Sequence, residues 1–316
     1  MHAVGIDIGG TKIAAALVDE SGQILREARV ATPMGHGDEI VKAVVALVEE
    51  LAAGESVIGV GVAAAGFIDA QQAKVLYAPN LSWRNYPFKA KLEALLPYEV
   101  IIENDANAAG WAEFRYGAGR GTKNMTMLTI GTGVGGAVIA DSKMLRGGFG
   151  IAGELGHIRV VPDGRLCGCG AHGCIEQYGS GTALLRAARE LADSSEESGS
   201  RLRELREEAG ELTGEQVYQA ILEGDAGALR LLRELGAWLG QTIASLSAVL
   251  DPELVVIGGG VSSAGELLLE PIREAYFDNM PARGFRPELQ LKIAEFVNDA
   301  GVVGAADLVR LALAQR

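Results

Sequence analysis

The chain has 316 residues, 48% hydrophobic and 22% charged, the balance of a soluble globular protein with room for two ordinary domains. Its formal net charge of −13 argues against a nucleic-acid surface and against an anionic membrane, so any phosphate-bearing ligand must be met locally by backbone N–H groups and a few cations. The longest apolar run, over 57–68, carries glycines and falls short of the about 20 residues a membrane helix needs; a strand pattern starts at Ala3 with no signal peptide ahead of it.

In chain order, residues 3–12 read as a short β-branched strand entering a glycine turn. A second strand is expected over 13–18, a hairpin turn at 19–22 and a third strand over 23–31. A helix follows over 38–51, with Asp38 as its N-cap and an apolar face through Val41, Val44, Val45 and Val48. Residues 57–64 are almost continuously apolar, as a strand covered on both faces would be. Another strand, over 99–102, ends at 103–107, where a helix begins. This mixture of strands and helices means α/β.

The opening pattern then recurs. IDIGGT at 6–11 is echoed by LTIGTG at 128–133, and the interval from Asp7 to Asp19 equals that from Thr129 to Asp141. A single repeat over so long an interval, against roughly 20–50 residues for solenoids, points to two related α/β lobes. Helices are expected over 182–192, 225–250, 264–276 and 301–314, and strands over 253–257 and 289–294. The polar segment 193–200 reads as mobile, and 201–208 as a solvated helix.

Three glycine turns follow three strands, at Gly9, Gly10, Thr11 and Lys12, at Gly131, Thr132 and Gly133, and at Gly258, Gly259 and Gly260. Glycine lets backbone N–H groups turn onto an anion, and Lys12 adds a point charge. No Walker motif is present, and the GxGxxG letters at 131–136 precede a strand-like stretch over 137–140 where a dinucleotide fingerprint needs a helix. Asp105 stands at a strand's carboxyl end and a helix's start, where open α/β sheets place ligands; either Asn104 or Asp105 could serve as the helix cap. All three cysteines, Cys167, Cys169 and Cys174, fall in the glycine-rich stretch 154–176 together with His157 and His172. Three thiols and an imidazole make a Cys₃His set suited to tetrahedral zinc, with the spacing leaving open which histidine completes it. Three cysteines cannot all pair within one chain, which fits a reducing cytoplasm.

The motifs DIGGTK at 7–12, END at 103–105, ELGH at 154–157 and CGCGAHGCIE at 167–176 together resemble the ROK family of bacterial sugar kinases and repressors, and within it the ATP-dependent glucokinases. The resemblance implies a two-lobed, actin-like and hexokinase-like fold with an active site in the cleft. It divides the chain into a smaller lobe, 1–115 joined by 301–316, and a larger lobe, 116–300. It implies transfer of the ATP γ-phosphoryl group to the 6-hydroxyl of glucose, with Asp105 as general base. Gly66, Asn80, Asn104, Glu154, His157 and Glu176 match sugar-binding positions. The turns at 9–12 and 131–133 match the phosphate loops and 258–260 the adenosine side, while Asp7 matches a carboxylate that positions Mg²⁺. His157, Cys167, Cys169 and Cys174 match structural zinc ligands, which selects His157 over His172. The resemblance also implies a cytoplasmic dimer or tetramer with no nucleic-acid or membrane partner. A kinase for another hexose, or a sugar-responsive regulator, is the alternative. The regulator is disfavoured because the chain starts directly at the kinase motif.

Overall fold

The computed structural model describes residues 1–33, 37–78, 81 and 83–314. The opening β-branched stretches pair as a meander of β1 (His2–Ile8), β2 (Lys12–Val18) and β3 (Ile24–Ala31). Helix α1 (Gly37–Ala52) then leads to β4 (Val57–Ala64), which pairs parallel to β1. A small three-stranded sheet follows from β5 (Phe67–Ile68), β6 (Val75–Ala78) and β7 (Trp83–Tyr86). After α2 (Phe88–Glu93), β8 (Val100–Asn104) closes the first large sheet in the order β3-β2-β1-β4-β8 and runs directly into α3 (Asp105–Tyr116).

The same plan then repeats. Strands β9 (Met125–Ile130), β10 (Val134–Ala140) and β11 (Lys143–Met144) form the second meander. The helices α4 (Glu176–Gly179), α5 (Gly181–Asp193), α6 (Ser200–Ala209), α7 (Gly214–Leu222) and α8 (Ala226–Leu250) come next. Strand β12 (Leu254–Gly258), helix α9 (Glu266–Asn279), strand β13 (Gln290–Ile293) and helix α10 (Ala300–Ala314) complete the chain. The second sheet has the order β11-β10-β9-β12-β13, matching the first strand for strand, with β9, β12 and β13 parallel. The repeat seen in the letters is therefore a repeat of topology.

Two compact units result. One comprises 1–123, 137–153 and 295–316, the other 124–136 and 154–294. Relative to the expected division at 115 and 300, residues 116–123, 137–153 and 295–300 fall with the first unit. The first sheet is buried on both faces. One carries the cluster of Ile6, Ile13, Val44, Val48, Val62 and Phe88, the other that of Ala16, Ile101, Ala112, Val303 and Ala306. Helix α10 approaches the sheet at backbone distance, because a Cβ at Gly5 would overlap the Val302 carbonyl and one at Gly61 the Ala305 carbonyl.

Buried Asp307 gathers polar groups across this interface. Asp307 accepts hydrogen bonds from Trp111 Nε1 (2.9 Å), Arg115 Nε (3.1 Å), Tyr116 Oη (2.6 Å) and Arg310 Nη1 (2.8 Å), tying α10 to α3. Asp307→Ala strands these donors and is expected to cost about 3 kcal/mol, measured by urea denaturation; this is the low end for breaking a buried pair, because Arg115 is half exposed and rehydrates.

Two expectations require correction. Helix α1 starts at Gly37, so Asp38 lies in its first turn and is not the N-cap; its carboxylate accepts from Tyr86 Oη and Lys91 Nζ, both at 2.8 Å. The polar segment 193–200 is pinned rather than loose. Arg203 donates to the Ser194 and Glu196 carbonyls at 2.7 and 3.0 Å, and Arg230 pairs with the Glu196 carboxylate at 2.9 Å. Composition marked the segment as polar, but its partners lie on helices further along the chain.

Candidate active site

In the first unit the candidate residues issue from one edge of the sheet. The ladder aligns Ile8 with Ala64 and Ala64 with Asn104, so β1, β4 and β8 end level. The turn at 9–12, the turn containing Gly66, and Asp105 all leave that carboxyl edge, the usual ligand side of an open α/β sheet. Gly9 N–H closes its turn onto the Lys12 carbonyl (3.0 Å), and Thr32 Oγ1 donates to the Gly9 carbonyl (2.7 Å). A Cβ at Gly10 would meet open space, so this turn has room for a ligand against its backbone.

The helix cap is Asn104, whose Oδ1 accepts from Asn107 N–H at 3.0 Å. Its Nδ2 donates to the Gly66 carbonyl at 3.2 Å, which leaves one amide hydrogen and one lone pair for a ligand. Asp105 is relieved of capping and accepts from the adjacent Ala106 N–H at 2.9 Å. Burial pushes its carboxyl above the usual range. Burial, and then the charge of Asp105, push Asp7 up to about 6, with Lys12 opposing. The folded chain therefore holds the Asp7 proton more tightly than the unfolded chain, and stability falls as pH rises from about 4 through about 6. Asp7→Asn is expected to raise Tm at pH 8 and to leave it nearly unchanged at pH 4, which thermal melts at the two pH values would check.

The second unit holds the cysteine loop. Cys167 Sγ lies 3.7 Å from His157 Nδ1, Cys169 Sγ lies 3.7 Å from Cys174 Sγ, and all four ligand atoms fall within 4.8 Å of one another. A tetrahedron with zinc–sulfur bonds of about 2.3 Å has edges of about 3.8 Å, so this donor set fits the ion. His172 turns elsewhere, its Nδ1 2.9 Å from the Gly164 carbonyl, and takes no part in the cluster. His157 thus points Nδ1 at the thiols and Nε2 toward Glu154, 4.0 Å away. The Cys167 thiol donates to Glu176 Oε1 (3.5 Å), while Oε2 accepts from Val134 N–H at 3.2 Å. A Cβ at Gly133 would collide with this carboxylate, so glycine there lets Glu176 sit against the 131–133 turn. The histidine, the carboxylate and the glycine turn form one local assembly.

Beside it lies a cavity of about 570 Å³, lined by Gly131, Thr132, Thr182, Tyr218, Gly260 and Val261 among others. Leu184, Val217 and Ile221 make its wall mainly apolar, while Thr132 and Glu215 supply polar groups. That volume and character suit a nucleoside-sized ligand.

A model of the ROK family matches residues 3–312. The chain belongs to the ROK family. This ROK protein is 44% identical to a glucokinase of Streptomyces coelicolor over 97% of both chains. It is 35% identical to an N-acetylmannosamine kinase of Escherichia coli over 98% of this chain and 99% of the relative. Its fold matches the crystal structure of a ROK family glucokinase from Streptomyces griseus in complex with glucose and AMPPNP, with TM-score 0.87 and 45% identity, covering 98% of this chain and 100% of that one. The two-unit α/β architecture is therefore the ROK sugar-kinase fold.

In the first unit the turn at 9–12, Gly66, Asn104 and Asp105 lie at one sheet edge, and in the second Glu154, His157 and Glu176 lie beside the cysteines and the 131–133 turn. Asn80 lies outside the described residues. Sequence reasoning missed the cavity wall contributed by α5 and α7, including Thr182, Glu215 and Tyr218. These residues sit on ordinary amphipathic helices and carry no local signal. Glu103 stands in the END motif without an assigned role, and Arg146 carries no motif; the two are ion-paired at 2.7 Å.

Proposed function

We propose that this protein is a glucokinase that transfers the γ-phosphoryl group of ATP to the 6-hydroxyl of D-glucose, giving glucose 6-phosphate and ADP. The observation that carries the reading is the near end-to-end similarity, at 45% identity, to a glucokinase crystallised with glucose and AMPPNP.

In this reading Asp105 takes the proton of the 6-hydroxyl as that oxygen bonds to the γ-phosphorus and the bond to the bridging oxygen of ADP breaks. The turns at 9–12 and 131–133 hold phosphate oxygens on backbone N–H groups, helped by Lys12 and Thr132. The cavity beside Gly260 takes the adenosine. Asn104, Glu154, His157 and Glu176 orient the sugar hydroxyls, with Gly66 and Asn80 contributing at the margin. Asp7 would hold Mg²⁺, which neutralises charge on the phosphates. His157, Cys167, Cys169 and Cys174 would hold zinc, whose role is structural because four protein ligands close its coordination.

Among the described residues no helix is long and apolar enough to cross a membrane. Cysteines grouped as a metal donor set rather than paired in disulfides support a cytoplasmic enzyme. We also propose a dimer or tetramer with no nucleic-acid partner.

An ADP-release assay across glucose, mannose, fructose, N-acetylglucosamine and N-acetylmannosamine, with and without Mg²⁺, tests the assignment. The highest kcat/KM is expected for glucose, and only with the metal. The 35% identical N-acetylmannosamine kinase makes that sugar the second candidate, and faster turnover of it would move the assignment there.

A further inference from the structure

Glu103 is only 2% exposed, yet it is a carboxylate, and four groups converge on it. Its Oε2 accepts from Arg146 Nε at 2.7 Å and from Gln72 Nε2 at 3.0 Å. Its Oε1 accepts from Asn107 Nδ2 and from the backbone N–H of Asn104, both at 3.0 Å. These donors come from the turn after β5, the first turn of α3, the end of β8 and the segment after β11. Gln72 is held at φ 55°, a conformation that non-glycine residues adopt only when their surroundings impose it. Arg146 in turn closes its own loop, its carbonyl accepting from Ala152 N–H at 3.0 Å, and Gly150 of that loop packs against the backbone of Asp69 and Ala70.

We propose that Glu103 and Arg146 are a positioning pair for phosphoryl transfer, fixing the peptide that carries Asn104 and Asp105; this rests on the glucokinase reading above. A carboxylate whose only task was stability would be served by any buried partner. Here the bonds fall on the N–H of Asn104 itself and on the Asn107 side chain one helical turn beyond it. Asn107 N–H also receives the Asn104 cap, so both ends of the short arc holding Asp105 are clamped. The base must sit within hydrogen-bond reach of the acceptor hydroxyl, and a displacement of about 1 Å can cost about 10²-fold in rate. Arg146 neutralises Glu103, so the clamp adds no unpaired negative charge beside the base.

The test is steady-state kinetics of the full-length zinc-loaded enzyme and of Arg146→Ala, Arg146→Lys, Glu103→Gln and the Arg146→Ala/Glu103→Gln double variant. Folded fraction is followed by circular dichroism, and wild type and Asp105→Ala are run alongside. Arg146→Ala is expected to lower kcat/KM for glucose about 10²-fold, through both a lower kcat and a raised glucose KM, with ATP KM within twofold of wild type. Methylguanidinium should restore part of the loss. The double variant should be no worse than the poorer single, because both remove one clamp. If kcat falls only in step with the folded fraction while both KM values hold, the pair is structural and the proposal is overturned. Additive losses in the double variant, or an active Arg146→Ala with unchanged glucose kinetics, overturn it too. Should Arg146→Ala not fold, Arg146→Lys and Glu103→Gln decide by the same glucose-against-ATP split. A wild type without glucose turnover, or an Asp105→Ala variant with near-normal kcat, overturns the underlying reading and this proposal with it. Normal wild type and inactive Asp105→Ala beside unaffected Arg146 and Glu103 variants overturn the proposal alone.

Discussion

Asp105→Ala is expected to lower kcat by about 10²–10⁴-fold while leaving glucose affinity largely intact. The structure favours so clean a separation. Asn104 caps α3, so Asp105 can be replaced without freeing the helix N-terminus. The carboxylate accepts from the neighbouring Ala106 N–H, which water can satisfy in the variant. A base must be ionised to accept a proton, and burial raises the pKa of Asp105. Activity should therefore be present above the raised value and fall as pH drops through it, giving kcat an acid limb displaced upward from that of an ordinary aspartate. Asp105→Asn, similar in shape but unable to take the proton, should lose both the rate and the limb. Stopped-assay kcat values from pH 5 to 9, with glucose binding followed by calorimetry, check each part. Near-normal turnover in either variant would sink the role.

Removing the metal is expected to lower Tm and to weaken glucose binding together. Zinc-finger peptides gain about 10–16 kcal/mol from the ion. The gain here should be smaller, because the loop has its own bonds. Val160 N–H donates to the Gly173 carbonyl, Cys167 N–H to the Ala171 carbonyl and Ile175 N–H to the Ile158 carbonyl, all at 2.8 Å. What those bonds leave unfixed is side-chain direction. His157 has one ring nitrogen at the thiols and the other toward Glu154, while Glu176 touches both Cys167 and the 131–133 turn. An ion on Nδ1 would set the tautomer, leaving Nε2–H as donor, and would hold three recognition groups in one orientation. Cys174→Ser should reproduce the effect of chelation, and His172→Ala should not, since His172 stands apart from the cluster. Melting curves, zinc content by atomic absorption and glucose titration are the readouts. A metal-free protein with unchanged glucose affinity would refute the link.

Much of this was legible in the letters, for reasons that are local. Short, largely apolar runs followed closely by glycine marked β1, β4, β9 and β12, because a buried strand and the turn after it are short-range properties. The echo of 6–11 in 128–133 announced the repeated sheet order. Clustered cysteines announced the metal set, because their ligand atoms come from one loop. The helix starts were less secure. Asp38 looks like a cap, yet α1 begins one residue earlier and Asp38 answers instead to Tyr86 and Lys91. Between Asn104 and Asp105 the letters offered two caps, and only backbone geometry assigned the bond to Asn104 and released Asp105.

By itself, then, the sequence determined the α/β class, the internal repeat, the three glycine turns and the three thiols of the cysteine loop, since each is carried by local patterns of residues a few positions apart. Tertiary structure alone decided the rest. It set His157 against Cys167 and turned His172 away; it seated Glu176 behind Gly133; it built a cavity wall from α5 and α7; and it brought Arg146 onto Glu103. These are contacts between side chains far apart in sequence, whose energies depend on burial and direction, and neither quantity exists until the sheets have closed and the helices have packed.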